Sequence, residues 1–256
     1  MITFAYAVII IPVNPKLVKQ LIALNQTFYS RFASEFSETR SSAQTRLNRI
    51  VRYVSDGASV LEIGCGNGRL AERLDRDMRP LTYVGVDLAK EMIEIAAARR
   101  ASLRSITAEF RVADVTAPGW NATLPGSPFD VAIALAVLHH IPSFELRQQV
   151  LRDIHAVLKP GAVLVMTNWQ FLKNDRMRKR MEVWETVGIE KQELETGDAL
   201  LRWKRGGTGY RYCHWLSKTE VEDLAAQSGF QVLRQFFADA DLNLYSVLKS
   251  TGEGSF

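Results

Sequence analysis

The segment Glu62-Ile63-Gly64-Cys65-Gly66-Asn67-Gly68 puts glycines at three alternate positions directly after a short apolar run. Residues without a Cβ let the backbone turn tightly and approach a ligand closely. The unpaired N–H groups of a helix that follows can receive a carboxylate. The pattern is GxGxG, neither the GxGxxG of a dinucleotide fingerprint nor a P-loop with its GK[ST]. Asp87 closes the next apolar run, where an acidic side chain can take both hydroxyls of a ribose. Asp114 closes a third run and is placed to read an adenine amino group. Each has a plainer reading, the glycines as a tight turn and Asp87 as a helix N-cap. Three such strand tips on one sheet rim point together to a nucleoside-bearing ligand. His139 and His140 end the longest central apolar run, where an imidazole can hydrogen-bond a substrate or take a proton, or cap a loop. Adjacent strand residues face opposite sides, so at most one of them faces the reaction.

These residues need rigid elements to hold them, and the periodicity supplies them. Short apolar runs at 59–63, 82–86, 110–113, 129–138 and 162–167 read as buried parallel strands. Between them, apolar residues recur at helical spacing, as in Leu146, Val150, Leu151, Ile154, Val157 and Leu158 after Ser143. Lys159-Pro160-Gly161 is read as the stop of that helix. Ser217 and Glu220 form a capping box for a helix that ends at Gly229. Residues 230–237 and 242–248 read as two closing strands, near enough in sequence to pair as a hairpin at one edge. The expected fold is α/β, with a doubly wound, mostly parallel seven-stranded sheet and an antiparallel C-terminal edge hairpin, Rossmann-like in layout.

Two short helices are expected before the sheet, from Leu17, Val18, Leu21 and Ile22 and from Leu47, Ile50, Val51 and Val54, with the aromatic stretch FYSRFASEF between them. The division expected is an apolar leader at 1–14, N-terminal helices at 15–57 and one domain at 58–256. A polar insertion at about 170–210 breaks its rhythm. The leader is shorter than the about 20 residues that span a bilayer and lacks the basic start and cleavage site of a secretory signal. A buried strand, a loosely packed extension or a start codon assigned too early fits it. The remaining sequence holds no membrane candidate, so a cytoplasmic protein is expected.

Of 256 residues, 47% are apolar and 23% charged, which excludes a disordered chain, a collagen-like chain and a polytopic membrane protein. Two distant cysteines, Cys65 and Cys213, exclude a disulfide framework and a structural zinc site of CxxC type, so no metal is expected. The net charge of +4 permits a polyanionic partner without requiring one. Within the insertion, KNDRMRKR (173–180) carries five cations and one anion, and RWKRGGTGYRY (202–212) adds four cations with Trp203, Tyr210 and Tyr212 interleaved. Cations for phosphates and aromatics for unstacked bases are how single-stranded RNA is held. A solvated helix face is the plainer reading, and Glu182, Glu185, Glu190, Glu193 and Glu195 dilute the patch. Arg211 and His214 are the candidates for gripping a substrate carboxylate.

VLEIGCGNG, YVGVDLAKEMIEIA, FRVADV, FDVAIALAVLHHI and LKPGAVLVMTNW, in this order over about 58–169, resemble the successive motifs of class I S-adenosylmethionine-dependent methyltransferases. The resemblance implies S-adenosyl-L-methionine as cofactor. Glu62 heads its binding segment; Gly64, Gly66 and Asn67 would hold the methionine part, and Asp87 the ribose. Asp114 and Val115 would take the adenine, with Leu88 packed on its ring and Leu135 beside the sulfonium. In similar enzymes an arginine after the N-terminal helix pairs with the cofactor carboxylate, a role for the fork of Arg40. Tyr29 could close over the cofactor or belong to the core.

A narrower resemblance lies outside these motifs. YSRFASEFSETR, AVLHHI, GDALLRWK and RYCHWLSKTEVEDL are similar to segments of the tRNA wobble-uridine carboxymethyl methyltransferases. Arg202 stands where a proline is usual, Cys213 for a tyrosine, Trp215-Leu216 for a Val-Phe pair, and Asn243-Leu244 for an Asn-Trp pair. The resemblance implies a tRNA substrate and, from the eukaryotic members, a small zinc-binding partner protein. A carboxylate acceptor is ionised at pH 7 and needs no base, whereas a phenol or enol would use His140. A small-metabolite methyltransferase and a non-catalytic cofactor-binding module remain as alternatives.

Overall fold

The computed structural model describes residues 13–38, 44–77 and 80–252. The chain begins with α1 (Pro15–Arg31), α2 (Ala33–Glu38) and α3 (Gln44–Val51). It continues through β1 (Ser59–Ile63), α4 (Arg69–Asp75), β2 (Leu81–Asp87), α5 (Lys90–Arg100), β3 (Ile106–Val112), β4 (Phe129–Leu135), α6 (Phe144–Ala156) and β5 (Leu158–Trp169). The insertion holds α7 (Asp175–Arg178), β6 (Met181–Glu182), β7 (Asp198–Trp203) and β8 (Gly209–His214). The chain closes with α8 (Lys218–Ala226), β9 (Phe230–Ala238) and β10 (Asn243–Ser250).

Strands apolar on both faces belong in the middle of a covered sheet. Here seven of them line up as β3-β2-β1-β4-β5-β10-β9. The pairs among β1 to β5 are parallel, and β10 is antiparallel to both of its neighbours. One face buries Leu61, Ile63, Leu164 and Met166 with α6 and α8. The other buries Val60, Ile133 and Val165 with α3 and α4. Residues adjacent along a strand thus enter opposite cores, as the pleat requires.

The expected fold class is the one observed, with local differences. β3 starts at Ile106, because Thr107 to Phe110 pair with β2 although their own pattern is mixed. β4 ends at Leu135, where Ala136 takes a φ of 60° and Leu138–His140 form a 3-10 turn. Lys159-Pro160-Gly161 lie within β5; the helix has already ended at Ala156. Only half of the capping box forms. The Ser217 hydroxyl accepts the Glu220 N–H at 3.0 Å, while the Glu220 carboxylate turns to Arg147 and His214.

The N-terminal region holds three helices, and α1 runs unbroken through the start of the aromatic stretch. Asn14 caps it and Pro15 opens it, its fixed φ suiting the first helical position. β6, β7 and β8 form an antiparallel sheet of their own, and its Leu200 and Tyr212 pack with Leu17 and Leu21 of α1 around Trp184. Phe28, Phe32 and Trp203 meet Ala89 and Met92, fastening α1 and this sheet over the start of α5.

Candidate active site

The carboxyl ends of β1, β2, β3 and β4 meet at one cavity, roofed by α1 and the segment around Ser37 and Leu47. Its wall includes Glu62, Gly64, Gly66, Asn67, Asp87, Leu88, Asp114, Val115, Leu135 and His140. Every described candidate for the cofactor set is therefore brought together. Arg40 falls outside the described residues.

The β1–α4 turn is shaped by three glycines in left-handed conformation, Gly64, Gly66 and Gly68. Gly64 (φ 66°) lies so close to β4 that a Cβ there would sit 2.4 Å from Val137 Cγ2. A Cβ on Gly66 (φ 53°) would meet nothing within 4 Å, so the backbone there fronts open space. Asp87 holds this turn from the next strand. Its two carboxylate oxygens accept the Gly66 N–H at 2.8 Å and the Ala89 N–H at 2.9 Å. Asp87 is not the N-cap of α5, a position held by Ala89 without a side-chain cap; its carboxylate braces the turn that leads into the helix. Asp114 accepts from the Thr116 N–H and hydroxyl at 2.9 and 2.5 Å. Glu62 is buried and accepts from the Tyr83 hydroxyl, and the Asn67 amide donates to Ser37. Burial, reinforced by Glu62, pushes the Tyr83 phenol well above its ordinary range, so it stays a donor.

A backbone cradle without Cβ, an acidic strand tip beside it and apolar walls at Leu88, Met92 and Val115 fit S-adenosyl-L-methionine, which carries an amino-acid tail, a ribose and a flat base. That group supplies an electrophilic methyl on a sulfonium. Arg69, directly after the turn, is the cation in the wall among the described residues. Sequence reading missed it because a cation opening a helix looks like surface.

The acceptor side is built by long-range contacts. Asn25, at 5% exposure, binds the edge of β8 as a neighbouring strand would. Its Oδ1 accepts the Tyr212 N–H at 2.8 Å, and its Nδ2 donates to Tyr212 O at 3.2 Å and His140 O at 3.1 Å. Tyr29 Oη lies 2.7 Å from His140 Nε2. His140 lines the cavity, whereas His139 is fully buried against Trp169 at 4.8 Å, so one imidazole of the pair faces the site. Asn25→Ala strands the Tyr212 N–H and removes one donor from the Tyr212 and His140 carbonyls, the former keeping His140 Nδ1. It is expected to destabilise the chain by about 1–3 kcal/mol, read as a lower denaturation midpoint.

Arg211 and His214 do not line the cavity. The Arg211 guanidinium is buried among Trp169, Phe28 and Trp203 at 4.6, 4.9 and 5.7 Å. His214 lies in a buried ion cluster, 2.7 Å from Asp198 and 3.1 Å from Glu220. Three carboxylates already surround it, counting Glu195 at 3.7 Å, so it is built to hold the insertion rather than to receive an external acid. Cys213, behind His140, has its thiol pushed up to about 12 by burial.

A separate open groove lies beside the cavity. Arg46, Arg176, Lys179, Arg180, Arg202, Lys204 and Arg205 line it with a single acid, Asp175. Glu182 pairs with the groove's Arg202 at 2.6 Å and Glu38 with its Arg205 at 3.0 Å, while Glu195 is drawn off by Arg147 at 2.9 Å. Of the acids that dilute the charge in sequence, Glu182 therefore neutralises a groove cation and Glu195 is taken up by α6. Trp169 and Trp203 form part of its wall but are 9% and 8% exposed, and Tyr212 is buried. The grouping favours phosphate contacts over base stacking.

The family described as a methyltransferase domain matches residues 36–235. A tRNA (carboxymethyluridine(34)-5-O)-methyltransferase of Mus musculus is 27% identical over 153 residues, 59% of this chain. The chain spans only 21% of that relative's length. A ubiquinone biosynthesis O-methyltransferase of Chromobacterium violaceum is 29% identical over 198 residues, 77% of this chain and 75% of that one. Among solved structures, a SAM-dependent methyltransferase from Methanosarcina mazei superposes with a TM-score of 0.63 at 22% identity, covering 80% of this chain and 98% of that one. Among the described residues no helix is long and apolar enough to cross a membrane.

Proposed function

The chain belongs to the methyltransferase-domain family and uses S-adenosyl-L-methionine, and from that premise we propose that it methylates an oxygen on RNA, the carboxylate of a modified wobble uridine in tRNA. The cationic groove carries this reading. Seven cations from α3, the α7 segment and the β7–β8 hairpin converge beside the cofactor cavity, two of them, Arg202 and Arg205, paired with Glu182 and Glu38, an array that suits a polyphosphate backbone and exceeds what a small acid requires. The similarity to the tRNA relative supports the same acceptor.

In this reading Glu62, Gly64, Gly66 and Asn67 hold the methionine part, Asp87 the ribose, Asp114 and Val115 the adenine with Leu88 on its face, and Leu135 lies beside the sulfonium. Transfer is an in-line displacement, and alignment by itself can remove about 7–11 kcal/mol of barrier. A cytoplasmic setting agrees with two buried thiols that form no disulfide.

The test is methyl label from S-adenosylmethionine into total tRNA, with and without a small zinc-binding partner protein, which this proposal includes as a candidate subunit. Label that disappears in Asp87→Ala supports the proposal. No label under either condition, with cofactor binding intact, sinks it. The groove makes a second prediction. Arg176→Glu with Lys179→Glu should weaken tRNA binding at least roughly tenfold and reduce the slope of log affinity against log salt by about 2. An unchanged slope would remove the groove from the argument.

A further inference from the structure

His140 is held in one protonation pattern by a neighbour that cannot donate. Its Nδ1 lies 2.9 Å from the Tyr212 carbonyl, so Nδ1 carries the proton. In the neutral ring that leaves Nε2 as an acceptor, and the Tyr29 hydroxyl, 2.7 Å away, donates to it. Both Tyr29 and His140 line the cavity. Asn25 fixes the arrangement from behind by binding the His140 and Tyr212 carbonyls together. Among the described residues, titratable groups facing the ring include His139, with its centroid at 4.3 Å, and the Cys213 thiol, 3.6 Å from Nδ1. The thiol, pushed up to about 12 by burial, remains protonated and does not compete as a base.

We propose that Tyr29 and His140 form a proton relay that ionises a weakly acidic hydroxyl, a phenol or an enol, at the acceptor end of the cavity, giving the chain a second acceptor class. The acceptor O–H bond breaks and its proton passes to Tyr29 Oη. The proton of Tyr29 moves to His140 Nε2, and the acceptor oxygen keeps the electron pair. The resulting imidazolium donates from both nitrogens, to Tyr29 Oη and to Tyr212 O. A carboxylate has no use for this relay, because it is ionised at neutral pH. A phenol with a pKa near 10 is about 0.1% ionised at pH 7, so a positioned base is worth about 10²–10⁴-fold. The inference rests on the cavity and is independent of the RNA proposal.

The test needs no cofactor. 4-Nitrophenol changes its absorption on ionising and is titrated into the protein alone. Bound to the wild type it should ionise at least about one pH unit lower than free in solution, a tenfold shift, and this shift should vanish in His140→Gln. Tyr29→Phe, which deletes one oxygen, serves as a second variant should His140→Gln fail to fold; it should also lose the shift. In the turnover arm, methyl label enters a catechol-type phenol in the wild type. His140→Gln should lower that at least about 100-fold and lower transfer to the pre-ionised nitrophenolate less than tenfold. Absence of nitrophenol binding, ionisation unchanged from solution, or equal losses for the two acceptors would each overturn the relay.

Discussion

Arg147→Met should lower the unfolding free energy by about 3–5 kcal/mol, which ranks among the largest effects of a single substitution. Arg147 lies on α6 with 1% of its side chain exposed. It donates to Glu195 at 2.9 Å, to Glu220 at 3.0 Å and to the Ile141 carbonyl at 3.0 Å. Glu195 precedes β7 and Glu220 belongs to α8, so one guanidinium joins the insertion to both helices on that face. Removing it leaves two carboxylates, with Asp198 beyond them, facing a single imidazole in a poorly hydrated space. Chemical denaturation reads the loss. Adding Glu220→Gln to Arg147→Met should recover part of it, since a neutral amide no longer needs the cation. A loss below about 1 kcal/mol would mean that water already reaches the cluster.

The same cluster sets a pH dependence. Burial and Arg147 oppose charge on His214, but its hydrogen bonds to Asp198 and Glu220 outweigh them and raise it above its ordinary value of 6.5. Burial opposes ionisation of Glu220, while His214 and Arg147 hold it below its ordinary 4.5. A raised folded value means that the His214 contribution is complete below 6.5 and is lost as pH rises through the folded value. A lowered one means that the Glu220 contribution is complete above 4.5 and is lost as pH falls through the folded value. Stability from this cluster should therefore peak between those two ordinary values. In His214→Gln the alkaline decline should flatten.

Asp87→Ala should weaken cofactor binding by about 100-fold or more, read by calorimetry. Two backbone N–H groups, of Gly66 and Ala89, depend on its carboxylate. The two bonds proposed from the ribose hydroxyls to this charged group are each worth about 1.5–3 kcal/mol, and every 1.4 kcal/mol is tenfold in affinity. The alanine removes the contact proposed for the ribose and also releases the turn that the contact shapes. Asp87→Asn retains one acceptor oxygen and should fall between the two. If affinity in Asp87→Ala stays within threefold of the wild type, the cavity binds its ligand some other way.

The strands, the fold class and the cofactor rim were legible in the chain because their signals are local. A five- to seven-residue apolar run is visible by itself, and Gly64, Gly66, Asp87 and Asp114 sit at the tips of such runs, within one strand–turn unit of each other. β1, β2 and β3 are neighbours in sequence and in the sheet, which aligns their tips, whereas β4 crosses back to lie beside β1. β3 shows the limit, since Ile106 to Glu109 become strand through pairing with β2 rather than through their own pattern.

The acceptor side depended on the tertiary structure. Asn25 and Tyr212 are separated by 187 residues and Tyr29 and His140 by 111, and no periodicity links such positions. The sequence showed the insertion only as a polar stretch that breaks the rhythm, because Arg211, His214, Glu195 and Asp198 are polar wherever they stand. Burial with matched partners turns them into the interior of a small sheet and its attachment to α6 and α8. Which residues chemistry could use was written in the sequence. Which of them face the cavity was decided by packing: a charged or imidazole side chain is equally polar in a site and in a buried ion cluster, and only its partners tell the two apart.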